Sequence, residues 1–497
     1  MVDPLQIQPI SPLSALQDRF CLINLGGEIR IVDKQQIEAV RSGAKDGEVT
    51  FYKRAEGSIL MQRVLETLPV SSKASVVIQQ FIANPGTHSF DAVAFSPLPT
   101  PPTTLNYWTG PTIKPVAGAW LELNRFLLWV ICDGNENTFG YLKNYLAHML
   151  QKPEEKPGIM IVLLGGQGTG KGTFFRLLHS IWSRTTLQVS DVDQVIGQFN
   201  AALERNYVIC MDEALFSGDK KSMERLKSLI TEPSCRIEQK YQPSRTIDSY
   251  HRFFAASNNG HFAQIDKDDR RFLFLRLSSD YQCNLEYFEK LHRLIADDDV
   301  VSAIVSDLLT TDLTNFNVRR RPLTTEHTMQ KIQSLAGFER YWLEVLHAGS
   351  ISTKPASYNT MGTVIEWDEE VFISTKDLAN SYKEYDKNAS RYNAIQSQQI
   401  AATLEKLCPS ARSKREVIHA GSLEKTQVRG YLLPSIGVAR TEFESSIGCK
   451  LQWGDNSKLV AMTPRKKKTM CEVILLSGDR DYPEYCQIDQ TLPEALA

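Results

Sequence analysis

The sequence has no cysteine pair at C-x-x-C spacing, although nine cysteines are scattered along its 497 residues. Zinc ribbons and disulfide frameworks both depend on regularly spaced cysteines, so the pattern argues against each of them. Single, scattered cysteines are typical of proteins that stay in a reducing compartment. We therefore expect a cytoplasmic protein.

Long hydrophobic runs are missing as well. No segment contains the roughly 18 consecutive apolar residues of a membrane span, and the N-terminus lacks the basic stretch and apolar run of a signal peptide. The formal net charge is only −2, so there is no chain-wide excess of basic residues. We expect no membrane partner, and any nucleic-acid surface must be local.

What the sequence does contain is an α/β pattern flanked by other zones, with 42% hydrophobic residues to form cores. The proline-rich stretch "SPLPTPPTTLN" marks one boundary, and Phe139, Leu142, Leu146 and Met149 follow the spacing of one buried helix face. The predicted domains are an α+β N-terminal domain (1–105), a helical collar (106–157), an α/β domain with a parallel sheet (158–315), a helical, winged-helix-like C-terminal domain (316–455) and a basic then acidic tail (456–497).

A glycine-rich loop, "VLLGGQGTGKGTFF" at residues 162–175, carries the strongest chemical signal. It follows an apolar strand and opens a helix, and it fits the phosphate-binding motif G-x-x-x-x-G-K-[ST] except that Gly172 replaces the final Ser or Thr. Glycines let backbone N–H groups approach phosphate oxygens, and Lys171 adds a positive charge at the helix N-terminus. The predicted nucleotide-binding residues are Gly165, Gly166, Gln167, Gly168, Thr169, Gly170, Lys171, Gly172 and Thr173.

The sequence also offers groups for magnesium and for hydrolysis. Gly172 has no hydroxyl, so either Thr173 binds Mg²⁺ in its place or a water fills that position. Asp212 and Glu213 follow the apolar strand "NYVICM", at the sheet edge where ligands bind. We expect Asp212 to orient Mg²⁺ and Glu213 to polarise the attacking water. The predicted cofactors are ATP and Mg²⁺.

Two further groups of residues flank later strands. "RFFAASNN" ends in Asn258 and Asn259, whose amides suit a γ-phosphate or a water, although a turn role would also explain Asn258. Arg270 and Arg271 precede the apolar strand "FLFLRL". An arginine there would act as a finger across a subunit boundary.

The stretches "GGQGTGKGTF", "LKSLITEP", "ASNN" and "DDRRF" resemble the phage, plasmid and poxvirus primase-helicases, a group of superfamily-3 helicases with an AAA+ P-loop motor. The resemblance runs from about residue 80 to 455. Gly-Lys-Gly-Thr is usual in this group, which favours Thr173 as the hydroxyl. The resemblance implies an ATP-dependent replicative DNA helicase of a phage or mobile element, located in the bacterial host cytoplasm. It also implies a homo-hexameric ring moving 3′ to 5′ on single-stranded DNA, with Arg270 as the finger.

In these motors a hairpin grips DNA, and "CRIEQKYQPSRTIDSYHRFF" reads as that hairpin. By likeness to the papillomavirus-type pattern, Lys240 and Tyr241 take the positions of a DNA-contacting lysine and histidine. Arg245 is a third candidate at the tip. A lysine suits phosphate and an aromatic ring can stack on a base. The alternative is an exposed tip with no such role.

Two features limit the resemblance. Residues 1–105 are too short for a catalytic primase and have no D-x-D pair, so we expect no built-in primase and a separate primase or polymerase partner. The acidic tail has no explanation.

In the C-terminal domain, a helix capped by Ser374 or Thr375, a second helix and two basic strands follow the order of a winged helix. A helical lid that only packs on the motor would have the same pattern.

Two rival functions use similar motifs. Adenylate kinases share Gly-Lys-Gly-Thr, but their loop lies at the extreme N-terminus and they lack the Asp-Glu strand and the hairpin. An AAA+ protein could instead remodel protein or nucleic acid without unwinding. Lys171, Asp212, Glu213 and Arg270 together favour a hydrolysing motor.

Overall fold

The computed structural model describes residues 11–42, 49–68, 72–214, 220–240, 244–258, 260, 262–263, 265–266, 269–353, 363–385, 397–420 and 424–453. The fold is mixed α/β and is built around one five-stranded parallel sheet. Among the described residues, no helix is both long enough and apolar enough to cross a membrane.

The N-terminal region contains a three-stranded and a two-stranded sheet together with four helices. Its elements are α1 (Pro12–Arg19), β1 (Phe20–Leu25), β2 (Glu28–Asp33), α2 (Lys34–Ser42), α3 (Arg54–Glu66), α4 (Ala74–Ala83), β3 (Ser89–Phe90), β4 (Ala92–Ala94) and β5 (Thr104–Asn106). Alternate residues of a strand face opposite sides of the sheet. Phe20 and Leu22 pack with α1, α3 and α4, whereas Cys21 and Ile23, with Ile37 of α2, join the core that continues into the rest of the molecule. Residues before and after residue 105 therefore share one hydrophobic core.

Within residues 106–157, most of the stretch from 121 to 151 is helical. It contains α5 (Leu121–Arg125), a π-helical turn (Phe126–Ile131) and α6 (Glu136–Gln151). Asn135 caps α6 by accepting a hydrogen bond from the Thr138 N–H at 3.0 Å. Leu142, Leu146 and Met149 are fully buried and Phe139 is half-buried, so the predicted apolar face packs inward.

The central sheet has five parallel strands in the order β12-β6-β11-β8-β7. The strands of this region are β6 (Met160–Leu164), β7 (Thr186–Val189), β8 (Val208–Met211), β9 (Ser234–Ile237), β10 (Arg245–Asp248), β11 (Arg252–Ser257) and β12 (Phe272–Arg276). The helices are α7 (Lys171–Ile181), α8 (Asp193–Ile196), a 3-10 turn (Ala201–Arg205), α9 (Lys220–Thr231), α10 (Leu285–Ile295) and α11 (Asp298–Thr310). Every residue of β6, β8 and β11 is buried, because parallel crossovers cover both sheet faces.

The C-terminal region has its own core around Trp342, Trp367 and Phe443. Its elements are α12 (Thr325–Ser334), α13 (Gly337–Ala348), β13 (Ser350–Thr353), β14 (Thr363–Glu366), β15 (Val371–Ser374), α14 (Thr375–Tyr385), α15 (Ser397–Leu407), β16 (Arg412–Ala420), β17 (Glu424–Leu433) and α16 (Ile436–Ile447). Strands β15, β17 and β16 form an antiparallel sheet in that order. The predicted succession of two helices and two basic strands is present, and the cap is Ser374, whose Oγ accepts from the Asp377 N–H at 3.0 Å.

Candidate nucleotide site

The glycine-rich loop turns tightly between β6 and α7. Gly168 and Gly170 adopt left-handed φ angles of +76° and +102°, which glycine reaches without strain. A Cβ at Gly170 would lie 2.9 Å from Phe288 Cε1. The local backbone and the approach of α10 therefore both require glycine at residue 170.

Lys171 points into the loop. Its Nζ donates hydrogen bonds to the carbonyls of Gly165 and Gly166 at 2.7 and 2.6 Å. Burial lowers the pKa of the Lys171 ammonium, and the negative charges of Asp212 and Glu213 act in the opposite direction. The only charged group of the loop is thus held at its centre by the backbone of the loop itself.

The acid pair lies directly after β8. The Asp212 N–H donates to the Val189 carbonyl at 2.7 Å, which extends the pairing of β8 with β7. Glu213 has a left-handed φ of +54°, and its N–H donates to Asp212 Oδ1 at 3.1 Å. Such a conformation costs a non-glycine residue about 1–3 kcal/mol and is concentrated at functional sites. The neighbouring Ala214 N–H bonds to the Ala256 carbonyl at 3.0 Å and so fixes the turn against β11.

One cavity of about 560 Å³ brings most of the predicted residues together. Lys171 and Thr173 from the loop, Asp212 and Glu213 after β8, and Asn258 after β11 all line it. They meet because β6, β11 and β8 are adjacent parallel strands whose carboxyl ends share one sheet edge. Gln167, Gly168, Gly170 and Gly172 complete the loop side of the cavity. Asn259 lies outside the described residues.

Three of the predicted loop residues support the cavity without lining it. Thr169 Oγ1 donates to the Gly166 carbonyl at 2.9 Å. The Gly165 N–H donates to the Ser257 carbonyl at 3.2 Å, and a Cβ at Gly165 would come within 2.8 Å of Thr169 Oγ1. Gly165, Gly166 and Thr169 therefore hold the shape of the loop and its position against β11.

Gly172 and Thr173 have different surroundings. A Cβ added at Gly172 would meet no atom within 4 Å, so this position is sterically open. Thr173 is buried, and its Oγ1 is hydrogen bonded to His292 Nε2 at 3.0 Å. Burial lowers the pKa of His292, and the positive charge of Arg176 lowers it further. The hydroxyl predicted to bind Mg²⁺ is thus held by an imidazole from α10.

Few protein side chains in the cavity could bind Mg²⁺. Among the described residues, no group of three or more His, Cys, Asp and Glu side chains could hold a metal ion. A site made of one hydroxyl and one carboxylate suits Mg²⁺, which retains several waters and is completed by phosphate oxygens. Thr173 and Asp212, which line the same cavity, fit that description.

Five further residues line the cavity and were not predicted from the sequence: Arg176, His179, Gln188, Phe288 and His292. Arg176 lies three residues after Thr173 on α7, and this helical spacing could have identified it. Phe288 and His292 come from α10, more than a hundred residues further along the chain. No local pattern links them to the loop.

A short segment before α10 forms hydrogen bonds with the glycine-rich loop. The Cys283 N–H donates to the Gly168 carbonyl at 3.0 Å, and Gln282 Nε2 donates to the Gln167 carbonyl at 2.9 Å. Asn284 then caps α10 by accepting from the Tyr287 N–H at 3.0 Å. These bonds place Phe288 and His292 at the mouth of the cavity.

The two arginines before β12 differ in their contacts. Arg271 Nη1 lies 3.7 Å from Oδ2 of the buried Asp269, and the Arg271 N–H donates to Asp269 Oδ1 at 2.8 Å. Arg270 is exposed and does not line the cavity of its own subunit. Its carbonyl accepts from Arg321 Nε at 3.1 Å, which fixes the backbone at this point.

The predicted hairpin is present. β9 and β10 are antiparallel, with Ile237 opposite Arg245, and Cys235, Ile237 and Ile247 are buried on one face. Lys240 is exposed near the tip, with its Nζ 5.3 Å from the centre of the Phe199 ring. Tyr241 lies outside the described residues.

Arg245 is placed differently from the sequence-based expectation. Its guanidinium forms a two-pronged ion pair with Glu204, and the two side chains are only 15% and 9% exposed. The same guanidinium lies 5.7 Å from the centre of the Phe51 ring. It therefore joins the hairpin base to the 3-10 turn and the N-terminal region, and this placement does not support a DNA contact.

Comparison with known proteins shows a sequence relationship in the region of the parallel sheet. Residues 163–271, which span the loop, the acid pair, the hairpin and Arg270, match a family of unknown function, DUF5906. A stretch of 164 residues, 32% of the chain, is 29% identical to the DNA primase-polymerase of Nitratiruptor phage NrS-1. That stretch covers 22% of the phage protein, so the chain spans about a fifth of the length of this relative.

Two solved structures of the NrS-1 C-terminal region share the fold. Their TM-scores are 0.54 and 0.55 at 15% identity, and the similarity covers 86% and 85% of this chain and 100% of each of the other chains. At this identity the likeness concerns the fold alone. The chain is thus related in sequence to a phage replication protein and has the fold of its C-terminal region.

Proposed function

We propose that this protein is an ATP-dependent DNA helicase of the superfamily-3, AAA+ type that acts in phage or mobile-element replication. One observation carries the proposal: a phosphate-binding loop, a hydroxyl, an acid pair and an amide from three adjacent parallel strands line a single cavity. This set of groups is suited to hydrolysing a nucleoside triphosphate.

Each residue has a role in that reaction. The loop N–H groups and Lys171 bind the phosphates, and Thr173 and Asp212 would hold Mg²⁺. The ion supplies positive charge against the phosphate oxygens. Glu213 accepts a proton from the attacking water, and Asn258 orients that water or the γ-phosphate. The strained turn at Glu213 keeps its carboxylate on the cavity wall.

The position of Arg270 supports a ring. An arginine finger must reach a triphosphate, yet Arg270 is exposed and lies outside the cavity of its own subunit. In a homo-hexamer it would complete the site of the neighbour. Arg271 is instead held beside the buried Asp269, with its Nη1 3.7 Å from Asp269 Oδ2.

The DNA path would run past the β9–β10 hairpin. Lys240 offers an exposed cation, and Tyr241 would supply an aromatic ring to single-stranded DNA during 3′ to 5′ translocation. Arg245 is not part of this contact, because it is paired with Glu204. The sequence relative is a primase-polymerase, which fits a replication complex with a separate primase or polymerase as partner.

The experiment that tests the proposal is ATP hydrolysis by the purified protein with and without single-stranded DNA, together with a mass measurement of the assembly. We expect DNA-stimulated hydrolysis by a hexamer. Hydrolysis that single-stranded DNA leaves unchanged would favour remodelling of another substrate, and no hydrolysis with Mg²⁺ and ATP would overturn the proposal.

A further inference from the structure

The C-terminal hairpin β16–β17 extends beyond the core of its domain. β15 pairs with β17 only from Gly430 to Leu433, so the hairpin beyond Gly430 has two strands. Ile373 and Leu433 are buried at its base, but the side chains of residues 412–415 are exposed and Val417 is 55% exposed. We call residues 412–420 and 424–429 the ribbon, and none of its described side chains belongs to a hydrophobic core.

The ribbon concentrates positive charge in a chain whose net charge is −2. Residues 412–433 contain five Lys or Arg and two Glu. One of the cations is neutralised, because Lys414 Nζ lies 2.6 Å from Glu416 Oε1. This stretch is therefore net positive, whereas the rest of the chain is net negative.

Two of these cations directly face each other. Arg415 is paired with Arg429 across the antiparallel ladder, and both are exposed. Like charges at directly opposite positions destabilise a sheet. Neither side chain has an ion pair or a hydrogen bond to another residue that the structure describes. A pairing that lowers stability and has no internal compensation is explained if an anion lies between the two guanidinium groups.

The helix before the ribbon carries little positive charge. α15 carries one cation, Lys406, and its Nζ is 3.1 Å from Glu339 Oε1. In a domain with this order of elements, the second helix could have been the nucleic-acid-binding element. Here two cations without an ion pair to a described residue, Arg415 and Arg429, lie on β16 and β17. These strands are therefore better candidates for binding nucleic acid than α15.

The geometry points to the ribbon as a binding site for double-stranded DNA. The major groove of B-form DNA admits a two-stranded β-ribbon, and exposed arginines bind phosphate and guanine edges. Single-stranded DNA is held largely by stacking on aromatic rings, and no Phe, Tyr or Trp occurs between residues 412 and 430. The site binds duplex DNA through Arg415 and Arg429, and it goes beyond the proposed motor because it needs no ATP hydrolysis.

The test uses the full-length chain and a blunt DNA duplex, a single strand of the same sequence and a matching RNA duplex. Arg415→Ala combined with Arg429→Ala should weaken binding to the DNA duplex. It should also make the log–log salt dependence shallower by about 0.9 per phosphate contact, or about 1.8 for both. Lys450→Ala is the matched control, because Lys450 belongs to the same domain and its side chain is 93% exposed.

Charge reversal separates a DNA contact from a structural role. Arg415→Glu places a carboxylate opposite Arg429 and removes the like-charge pair, so the melting temperature should stay the same or rise while duplex binding falls. Lys171→Ala should retain duplex binding, which makes the result independent of the motor. Unchanged duplex affinity and salt slope in the double variant would overturn the inference, as would an equal loss on all three nucleic acids.

Discussion

Gly172 and Thr173 are neighbours at the start of α7, yet the structure separates their roles. The Thr173 hydroxyl is buried in the cavity wall, whereas Gly172 faces open space. The departure from G-x-x-x-x-G-K-[ST] therefore shifts the hydroxyl by one residue along the helix. A hydrogen bond to His292 Nε2 holds the Thr173 hydroxyl in place.

Substitutions in the loop test this assignment. Lys171→Ala should abolish ATP hydrolysis, because the loop loses its only cation. Thr173→Ala should lower the turnover rate far more than Gly172→Ser, since the added hydroxymethyl group meets no neighbour. Steady-state ATPase rates at saturating Mg²⁺ measure both effects. A Thr173→Ala variant that hydrolyses ATP at the parent rate would show that another group binds Mg²⁺.

Arg270 and Arg271 form a second pair of neighbours with separable roles. Arg270→Ala should keep ATP affinity and lose turnover on the order of a thousandfold, because a finger meets charge that develops in the transition state. Arg271→Ala should cause a moderate loss, because the buried Asp269 then keeps only Lys227, at 3.9 Å, as an ion-pair partner. Nucleotide-binding titrations beside ATPase rates distinguish the two. Equal losses of turnover in both variants would contradict the finger assignment.

At the scale of elements, the β9–β10 hairpin combines an exposed Lys240 with an anchored base. Asn200 Nδ2 donates to the Arg236 carbonyl at 3.0 Å, and Asn200 Oδ1 accepts from the Glu238 N–H at 3.0 Å. Together with the Arg245–Glu204 pair, these bonds hold the two strands in place. Tip and base should therefore respond differently to substitution.

Tip substitutions should affect DNA and leave the nucleotide site intact. Lys240→Ala and Tyr241→Ala should weaken single-stranded DNA binding and unwinding at near-normal basal ATPase, and the lysine variant should flatten the salt dependence by about 0.7. Arg236→Ala is the control on the same hairpin, where the side chain is 67% exposed and paired with Glu238. Normal unwinding with an unchanged salt slope in both tip variants would remove the hairpin from the DNA path.

Base substitutions should affect stability. Arg245→Ala leaves Glu204 buried without a partner, and we expect a loss of about 3–5 kcal/mol in the free energy of unfolding. The double variant Arg245→Met with Glu204→Met replaces both charges by apolar side chains and should recover much of that loss. Chemical denaturation measures both. A single variant as stable as the parent would show that the pair contributes little.

At the scale of the whole molecule, the proposed ring makes each site a shared one. A subunit with Lys171→Ala still offers Arg270, and a subunit with Arg270→Ala still binds ATP. Mixing the two inactive variants should therefore restore measurable ATPase, because some interfaces combine an intact loop with an intact finger. Subunit exchange is verified by native mass spectrometry. Mixed rings without activity would contradict a finger supplied by the neighbour.

Acid stability is a second property of the whole molecule. Burial lowers the pKa of His251 and of His148 to about 4, and burial with nearby Arg321 lowers the pKa of His327 to about 3. These histidines are neutral in the fold, while the unfolded chain takes up protons below its ordinary value near 6.5. Their contribution to stability is therefore complete above pH 6.5 and is lost as the pH falls towards 4.

Denaturation at several pH values measures this dependence. The free energy of unfolding should fall by up to about 1.4 kcal/mol per pH unit for each such histidine below pH 6.5. His251→Gln removes one titrating group and should make the slope shallower by that amount. A slope unchanged by this substitution would show that His251 does not contribute.

The sequence by itself determined the local parts of the site. The glycine pattern sets the turn before α7, and apolar runs ending in Asp212 and Asn258 predict parallel strands with polar ends. Such features depend on the conformation of a few successive residues, so they can be recognised without the rest of the chain. The collar helix, the β9–β10 hairpin and the two-helix, two-strand order near the C-terminus were predictable for the same reason.

Only the tertiary structure decided which distant side chains meet. From the sequence, Arg245 is predicted to be a cation at a hairpin tip. The fold brings Glu204 beside it, and the two side chains form an ion pair. His292 becomes part of the site because the segment at Cys283 binds the loop and orients α10. The N-terminal sheet joins the common core through Cys21 and Ile23. Contacts between residues far apart in sequence depend on how whole elements pack, and no short stretch of sequence carries that information.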